Sequence, residues 1–279
     1  MPQQFTNRAQ LSYNDTVVLS NTVTGEIKDV LSVTKTALED FYTVGGRLTY
    51  VVNLVNSDTV PLTDLTLADD LGAGDGGTPL LTYVGGSVHY FADGAEQPAP
   101  SATGGTTLTI TGIAVPAGGN ATVIYETTVN EYASPEVGAV ITNTVTASGG
   151  TTTTVTASAT VPVSAGPILA VSKSLSPLVV TASGTVTYSF VISNTGNEAA
   201  DGDDSLILSD TFDPILSDIA VTYNGSPMLA TGYTYNEGTG VFGTTAGAIT
   251  VPAATFTQNE DGSWTTVPGE TTLTVTGAI

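Results

Sequence analysis

Apolar and polar residues alternate with a period of two along much of this chain. Val186, Tyr188, Phe190 and Ile192 fall on one side of a strand-like run, and Val123, Tyr125 and Thr127 do the same. Such runs are short and are separated by Gly, Pro, Asn and Asp, a spacing that predicts strands joined by tight turns. No run is apolar and long enough to span a bilayer, so membrane insertion is not expected.

The pattern occurs twice. LSVTKTA at 31–37 matches LAVSKSL at 169–175, LTYVVNLVNS at 48–57 matches VTYSFVISNT at 186–195, and LTLADDL at 65–71 matches LILSDTF at 206–212. The offset is about 138 residues, with a small insertion, NEAADGDDS, in the second copy. Gly166-Pro167 marks a linker. The chain therefore reads as three segments: an N-terminal segment at 1–30, a complete domain at 31–165 and a second domain at 169–279. Domain length and strand pattern together suggest immunoglobulin-like sandwiches.

The second copy is incomplete. In the first, GIAVPAG precedes NATVIYETTV at 120–129, and a further strand, VITNTVTAS, follows at 140–148. In the second, GAITVPA precedes TTLTVTGAI at 271–279, where the sequence ends. An alternative alignment of TTLTITGIA at 106–114 with 271–279 leaves still more missing. The N-terminal segment carries a matching surplus: FTNRA at 5–9 resembles ITNTV at 141–145, and SNTVTGEI at 20–27 falls where SATVPVSA lies at 158–165. The expected fold class is all-β: two tandem immunoglobulin-like β-sandwiches, the second lacking its last strand, plus an N-terminal donor strand with Phe5, Asn7, Ala9 and Leu11 on one face. An open sandwich exposes unpaired backbone and an apolar groove. The N-terminal strand of another copy would fill it by β-strand addition, which propagates head to tail into a homopolymer. The competing arrangement folds that strand back onto its own second domain.

The V-T-Y, N-T-G-N and L-x-L-x-D run at 186–210 is similar to the conserved repeat modules of bacterial surface proteins. The resemblance covers nearly the whole chain. It implies immunoglobulin-like modules in tandem with a structural role at a surface.

Two of the three lysines occupy repeat-equivalent positions in the first strand of each domain. Alternation puts Leu31, Val33 and Lys35 on one face, and likewise Leu169, Val171 and Lys173. Leu65, Leu67 and Asp69 align on another strand, as do Leu206, Leu208 and Asp210. Ile141, Asn143 and Val145 align on the last strand, and Phe5, Asn7 and Ala9 near the N-terminus. An isolated buried ion costs several kcal/mol, so a core-facing Lys needs a partner. Burial lowers a lysine pKa and raises that of a carboxylic acid. Lys, Asp and Asn so placed resemble the isopeptide-bonded domains of Gram-positive pilins, in which first- and last-strand residues are joined beside an acid. The resemblance implies Lys35 joined to Asn143 with Asp69 as the acid/base, and Lys173 with Asp210 joined to Asn7 of a neighbouring subunit. The simpler reading is a buried Lys–Asp ion pair with Asn merely hydrogen-bonded.

Composition narrows the remaining classes. Five Lys+Arg against 26 Asp+Glu give a net charge of −21, which excludes a phosphate-binding surface for nucleic acid. With no Cys and one His, disulfides, thiolate metal sites and His-based triads drop out. No nucleophile–base–orienter set is visible, so an enzyme is not expected. No cofactor is expected, except that Asp201, Asp203 and Asp204 in a loop form a partial calcium ligand set. The N-terminal residues lack a signal-peptide h-region. The expected location is extracellular, on a cell or spore surface. The expected role is a filament subunit, with a monomeric stalk or adhesin module as the alternative.

Overall fold

Residues 3–14, 16–27, 29–73, 77–150, 152–181 and 183–279 are described by the computed structural model. Among them every regular element is a strand or a single 3-10 turn, as the period-two pattern requires. The chain forms two units: Met1–Asn130 with Val140–Pro162, and Glu131–Ala139 with Val163–Ile279.

The N-terminal segment contains β1 (Gln3–Asn7), β2 (Gln10–Tyr13), β3 (Thr16–Leu19) and β4 (Val23–Ile27). β1 pairs antiparallel with β4, and β2 with β3, so the segment is one long hairpin that turns at Asn14, whose φ is 43°. A lone extended strand was the expectation. The segment pairs with itself instead, because an isolated strand leaves its amides and carbonyls without partners. Among the described residues the hairpin is hydrogen-bonded into no other sheet. Phe5, Leu11, Tyr13, Val17, Val18, Leu19 and Val23 are all exposed.

The first sandwich comprises β5 (Leu31–Ala37), β6 (Arg47–Asn56), β7 (Leu62–Asp69), β8 (Leu81–Tyr83), β9 (His89–Ala92), β10 (Ala95–Gln97), β11 (Ser101–Thr103), β12 (Leu108–Val115), β13 (Asn120–Val129), β14 (Val140–Gly149) and β15 (Val155–Pro162). One sheet runs β10-β9-β13-β6-β5, with β8 also on β13, and the other runs β11-β12-β7-β14-β15. Alternate residues of β6, from Leu48 through Tyr50 and Val52 to Leu54, are fully buried, as are Leu65 and Leu67 of β7. Sheet pairing with opposed apolar faces is the immunoglobulin-like arrangement.

The second sandwich comprises β16 (Leu169–Ser176), β17 (Thr185–Asn194), β18 (Ser209–Thr211), β19 (Ser217–Tyr223), β20 (Ser226–Pro227), β21 (Tyr233–Asn236), β22 (Val241–Thr244), β23 (Thr255–Gln258), β24 (Trp264–Val267) and β25 (Gly269–Ala278). Its first sheet runs β16-β17-β25-β19-β20, its second only β18-β22-β21, and β23 and β24 form a separate hairpin. One difference between the two units bears on the site. β7 sits inside its sheet between β12 and β14, whereas the equivalent β18 is an edge strand. Among the described residues no strand takes the places of β14 and β15. In the first unit β15 packs over β5. In the second, β16 lies exposed along almost its whole length.

One repeated turn is built the same way in both units. Asn56, fully buried, donates from Nδ2 to the carbonyls of Val60 (2.8 Å) and Pro116 (3.0 Å) and accepts from Asp58 N–H (2.9 Å). Asn194 donates to Glu198 (2.7 Å) and Pro252 (3.1 Å) and accepts from Ile168 and Gly196. Replacing Asn56 by Ala strands these buried backbone groups, at a cost of about 1–3 kcal/mol. The expected outcome is lower hydrogen-exchange protection throughout the first sandwich, with the second unchanged.

Candidate functional site

In the first sandwich, alternation along β5 carries Leu31 and Lys35 into the core, with Val33 half-buried between them. Lys35 Nζ forms an ion pair with Asp69 Oδ2, and the two side chains are 0% and 1% exposed. The Tyr125 hydroxyl donates to the same carboxylate oxygen, and Leu71 N–H donates to the other at 2.9 Å. Lys35 Nζ stands 4.6 Å from the centre of the Tyr50 ring and 5.9 Å from that of Tyr125. The ammonium therefore rests on two aromatic faces while it faces its counter-ion.

Asn143 enters from β14, whose register sets Val145 opposite Asp69. It is fully buried. Its Oδ1 accepts from Gly72 N–H at 3.3 Å, an amide that also donates to Asp70 Oδ1 at 2.9 Å and follows the one taken by Asp69. Successive N–H groups thus hold the acid and the carboxamide side by side. Leu71 (φ 54°) and Gly72 (φ 66°) are both left-handed, which aims their amides inward. A Cβ at Gly72 would approach Ile141 Cγ2 to 2.8 Å, so glycine suits that position twice over. Asn143 Nδ2 and the Tyr50 hydroxyl lie within each other's electrostatic reach, yet neither has a hydrogen-bond partner.

Burial lowers the Lys35 pKa to about 8, and the attraction of Asp69 offsets only part of that effect. Burial also pushes Tyr50 and Tyr125 up, so both keep their protons. Together these groups form a dry cluster holding an amine, an acid, a carboxamide and two phenols.

The second unit repeats half of this cluster. Lys173 Nζ pairs with Asp210, with the two side chains 41% and 18% exposed. It lies 4.6 Å from the Tyr188 ring centre and 5.6 Å from those of Phe190 and Phe212. Val275 pairs with Tyr188 as Tyr125 pairs with Tyr50, so one phenol is missing. Among the described residues of this unit no asparagine takes the place of Asn143. Leu31 is 3% exposed, while its equivalent Leu169 is 39% exposed and Val171 is 60% exposed. Leu169, Val171, Ile192, Leu206, Leu208 and Ile249 line an apolar groove beside the lysine.

Other residues singled out by sequence fall elsewhere. Phe5 and Asn7 lie on β1, Leu11 on β2, and Ala9 between the two, with all four exposed. Asp201, Asp203 and Asp204 stand at a 3-10 turn over 202–204. Asp201 accepts from Asp203 N–H, and Asp204 accepts from Asp201 N–H, both at 2.9 Å. Two of the three carboxylates therefore cap their own turn. Among the described residues no three acidic, His or Cys side chains converge as a metal would require. Sequence reasoning missed Tyr50 and Tyr125. Their positions on the buried faces of paired strands were readable, but the target of their hydroxyls was not.

No protein-family model matches the chain. No curated protein matches it either. Among solved structures it is similar to BcpA, the major pilin subunit of Bacillus cereus, at 12% identity over 95% of this chain and 73% of that one, with a TM-score of 0.35. It is similar to the major pilin SpaD of Corynebacterium diphtheriae at 12% identity over 85% of this chain and 59% of that one, TM-score 0.36. The collagen-binding subdomain of the Enterococcus faecalis surface protein ACE matches at 12% identity over 47% of this chain and 97% of that one, TM-score 0.29. Among the described residues no helix is long and apolar enough to cross a membrane.

The difference in burial between the two ion pairs sets different mutational costs. Asp69→Ala leaves a buried ammonium without its partner and is expected to cost about 3–5 kcal/mol. Asp210→Ala, beside a partly solvated Lys173, is expected to cost about 0–1 kcal/mol. Denaturant titration of the two variants checks this. Equal losses would contradict the assignment.

Proposed function

We propose that the chain is the structural subunit of an extracellular or spore-surface filament, assembled head to tail by donation of its N-terminal strand to the second sandwich of the next copy. The single observation that carries this reading is the unequal burial of equivalent strands. Leu31 and Lys35 are covered in the first unit, while Leu169 and Lys173 are bare in the second. An apolar groove beside an unpaired edge is unstable to any strand that fits it. The N-terminal segment supplies Phe5, Asn7 and Ala9 in the pattern of Ile141, Asn143 and Val145.

The same reading assigns chemistry to the two lysines. Lys35 passes a proton to Asp69, and the neutral amine adds to Cγ of Asn143. The bond from Cγ to Nδ2 then breaks as Nδ2 takes up a proton and leaves as ammonia. An amide links Nζ to Cγ, and the second proton given up by the amine remains on Asp69. The cluster turns over once, on itself, so the protein is not an enzyme. Lys173 and Asp210 lack a carboxamide, which Asn7 of the donating copy would supply, giving a covalent bond between subunits.

Intact-mass measurement checks the bond within the first sandwich. The expected mass is short by one ammonia, and Asn143→Ala removes the deficit. An undiminished wild-type mass would refute the bond. The reactive pair (neutral amine with protonated acid) carries the same single proton as the ion pair. In newly synthesised chain folding for the first time, the rate of ammonia loss is therefore expected to fall as the pH rises through about 8, as Lys35 loses that proton.

Detergent electrophoresis of assembled material checks the bond between subunits. Boiled wild-type filaments are expected to give a ladder of multiples, which Asn7→Ala abolishes while the mass deficit persists. Particles that stay monomeric at every concentration would favour the stalk alternative.

A further inference from the structure

We infer that the donated element is the whole hairpin β1–β4, docking on a second copy as a preformed two-stranded unit in the places that β14 and β15 fill in the first sandwich. This rests on the head-to-tail reading above and replaces its single strand by two.

The first support is register. In the first sandwich Ile141 pairs with Val161, Thr142 with Thr160, and Asn143 with Ala159. In the hairpin Phe5 pairs with Gly25, Thr6 with Thr24, and Asn7 with Val23. Aligning Asn7 with Asn143 superposes the two ladders along β1 and β4, while the β2–β3 rungs beyond are offset by one residue, with Leu11 opposite Val18. The carboxamide stands at the same rung of both.

The second support is volume. Ile141 and Val161 are both buried in the first core. Phe5 and Gly25 would take their places, a larger side chain opposite a smaller one. The Phe5 ring already lies over Gly25, where a Cβ would meet Cζ at 2.3 Å. The pair keeps the same number of side-chain carbons in a slightly smaller volume, so it would enter the core without overpacking it.

The third support is the shape of what is missing. A single strand on the free edge of β18 would pair its backbone but leave β16 uncovered. In the first sandwich β15 provides that cover for β5. The second hairpin strand, β4, would provide it for Leu169, Val171 and Lys173. The edge itself fixes the alignment. Asp69, Leu67 and Leu65 pair with Val145, Ala147 and Gly149. By equivalence Asp210, Leu208 and Leu206 would pair with Ala9, Leu11 and Tyr13 of the donor. An element that is already folded gives up less chain entropy on docking than an extended one. An isolated two-stranded hairpin with an apolar face is itself only marginally stable in water, so docking satisfies both partners.

The chain has no cysteine, so engineered disulfides report cleanly. Thr6 and Thr24 face each other on the side of the hairpin opposite Phe5 and Asn7, and both are exposed. The double variant Thr6→Cys with Thr24→Cys, once oxidised, can no longer open its hairpin. Electron microscopy and sedimentation are expected to show it assembling as the wild type does. If the oxidised variant stays monomeric while its reduced form assembles, hairpin docking is overturned and single-strand donation stands. If the wild type itself does not assemble, the head-to-tail reading fails and takes this inference with it. The register has its own test. Subunits carrying Leu11→Cys, mixed with subunits carrying Leu208→Cys, are expected to form disulfide-linked pairs on assembly. Assembly without such pairs would overturn the register.

Discussion

A β-sandwich closes only when both inner faces are covered and the strand edges at the core are paired. Everything unusual about this protein follows from one unit meeting that condition and the other falling short. In the first, β14 pairs with β7 and β15 lies over β5, so Leu31, Leu65 and Leu67 are out of water. In the second, the same sequence pattern folds into the same first sheet, yet Leu169 and Val171 remain exposed. Intrinsic preference builds the strands in both, and tertiary cover alone decides which are buried.

Cover also decides the electrostatics. Lys35 and Lys173 each sit on aromatic rings and each pair with an aspartate. Desolvation acts fully on the first, moving its pKa to about 8. The second keeps contact with solvent. Two similar side-chain clusters thus differ in solvation because of strands that neither lysine belongs to. The tyrosines add to this contrast: Tyr125 donates to Asp69, while the corresponding rung of the second unit holds Val275.

Much of this was legible in the sequence, for definite reasons. Period-two alternation placed Lys35, Asp69 and Asn143 on inward faces, and the cost of burying charge made their meeting the economical solution. Internal repetition pointed to one missing final strand, where the described residues leave the places of both β14 and β15 unfilled. The hairpin was half legible. The match of 20–27 to 158–165 already contained its second strand, but it aligned Val23 with Val161, whereas pairing sets Val23 at the rung of Ala159. The discrepancy is two residues, which preserves the face and so escapes a pattern of period two. The left-handed pair at Leu71 and Gly72 is held locally by Asp69 and Asp70, and only its further contact with Asn143, from β14, lay beyond the local sequence. The D-G-D-D cluster was ambiguous in the sequence because capping a turn and binding a cation favour the same residues.

The open unit also has a meaning in the order of synthesis. A chain made from its N-terminus completes β5 through β13 before β14 and β15 exist. For that interval the first sandwich has an uncovered first strand and a free edge on β7, the form in which folding domains are most prone to wrong association. It leaves that state once residue 162 has been made. Among its described residues the second unit shows what its neighbour passes through in synthesis: an uncovered first strand, β16, and a free edge on β18.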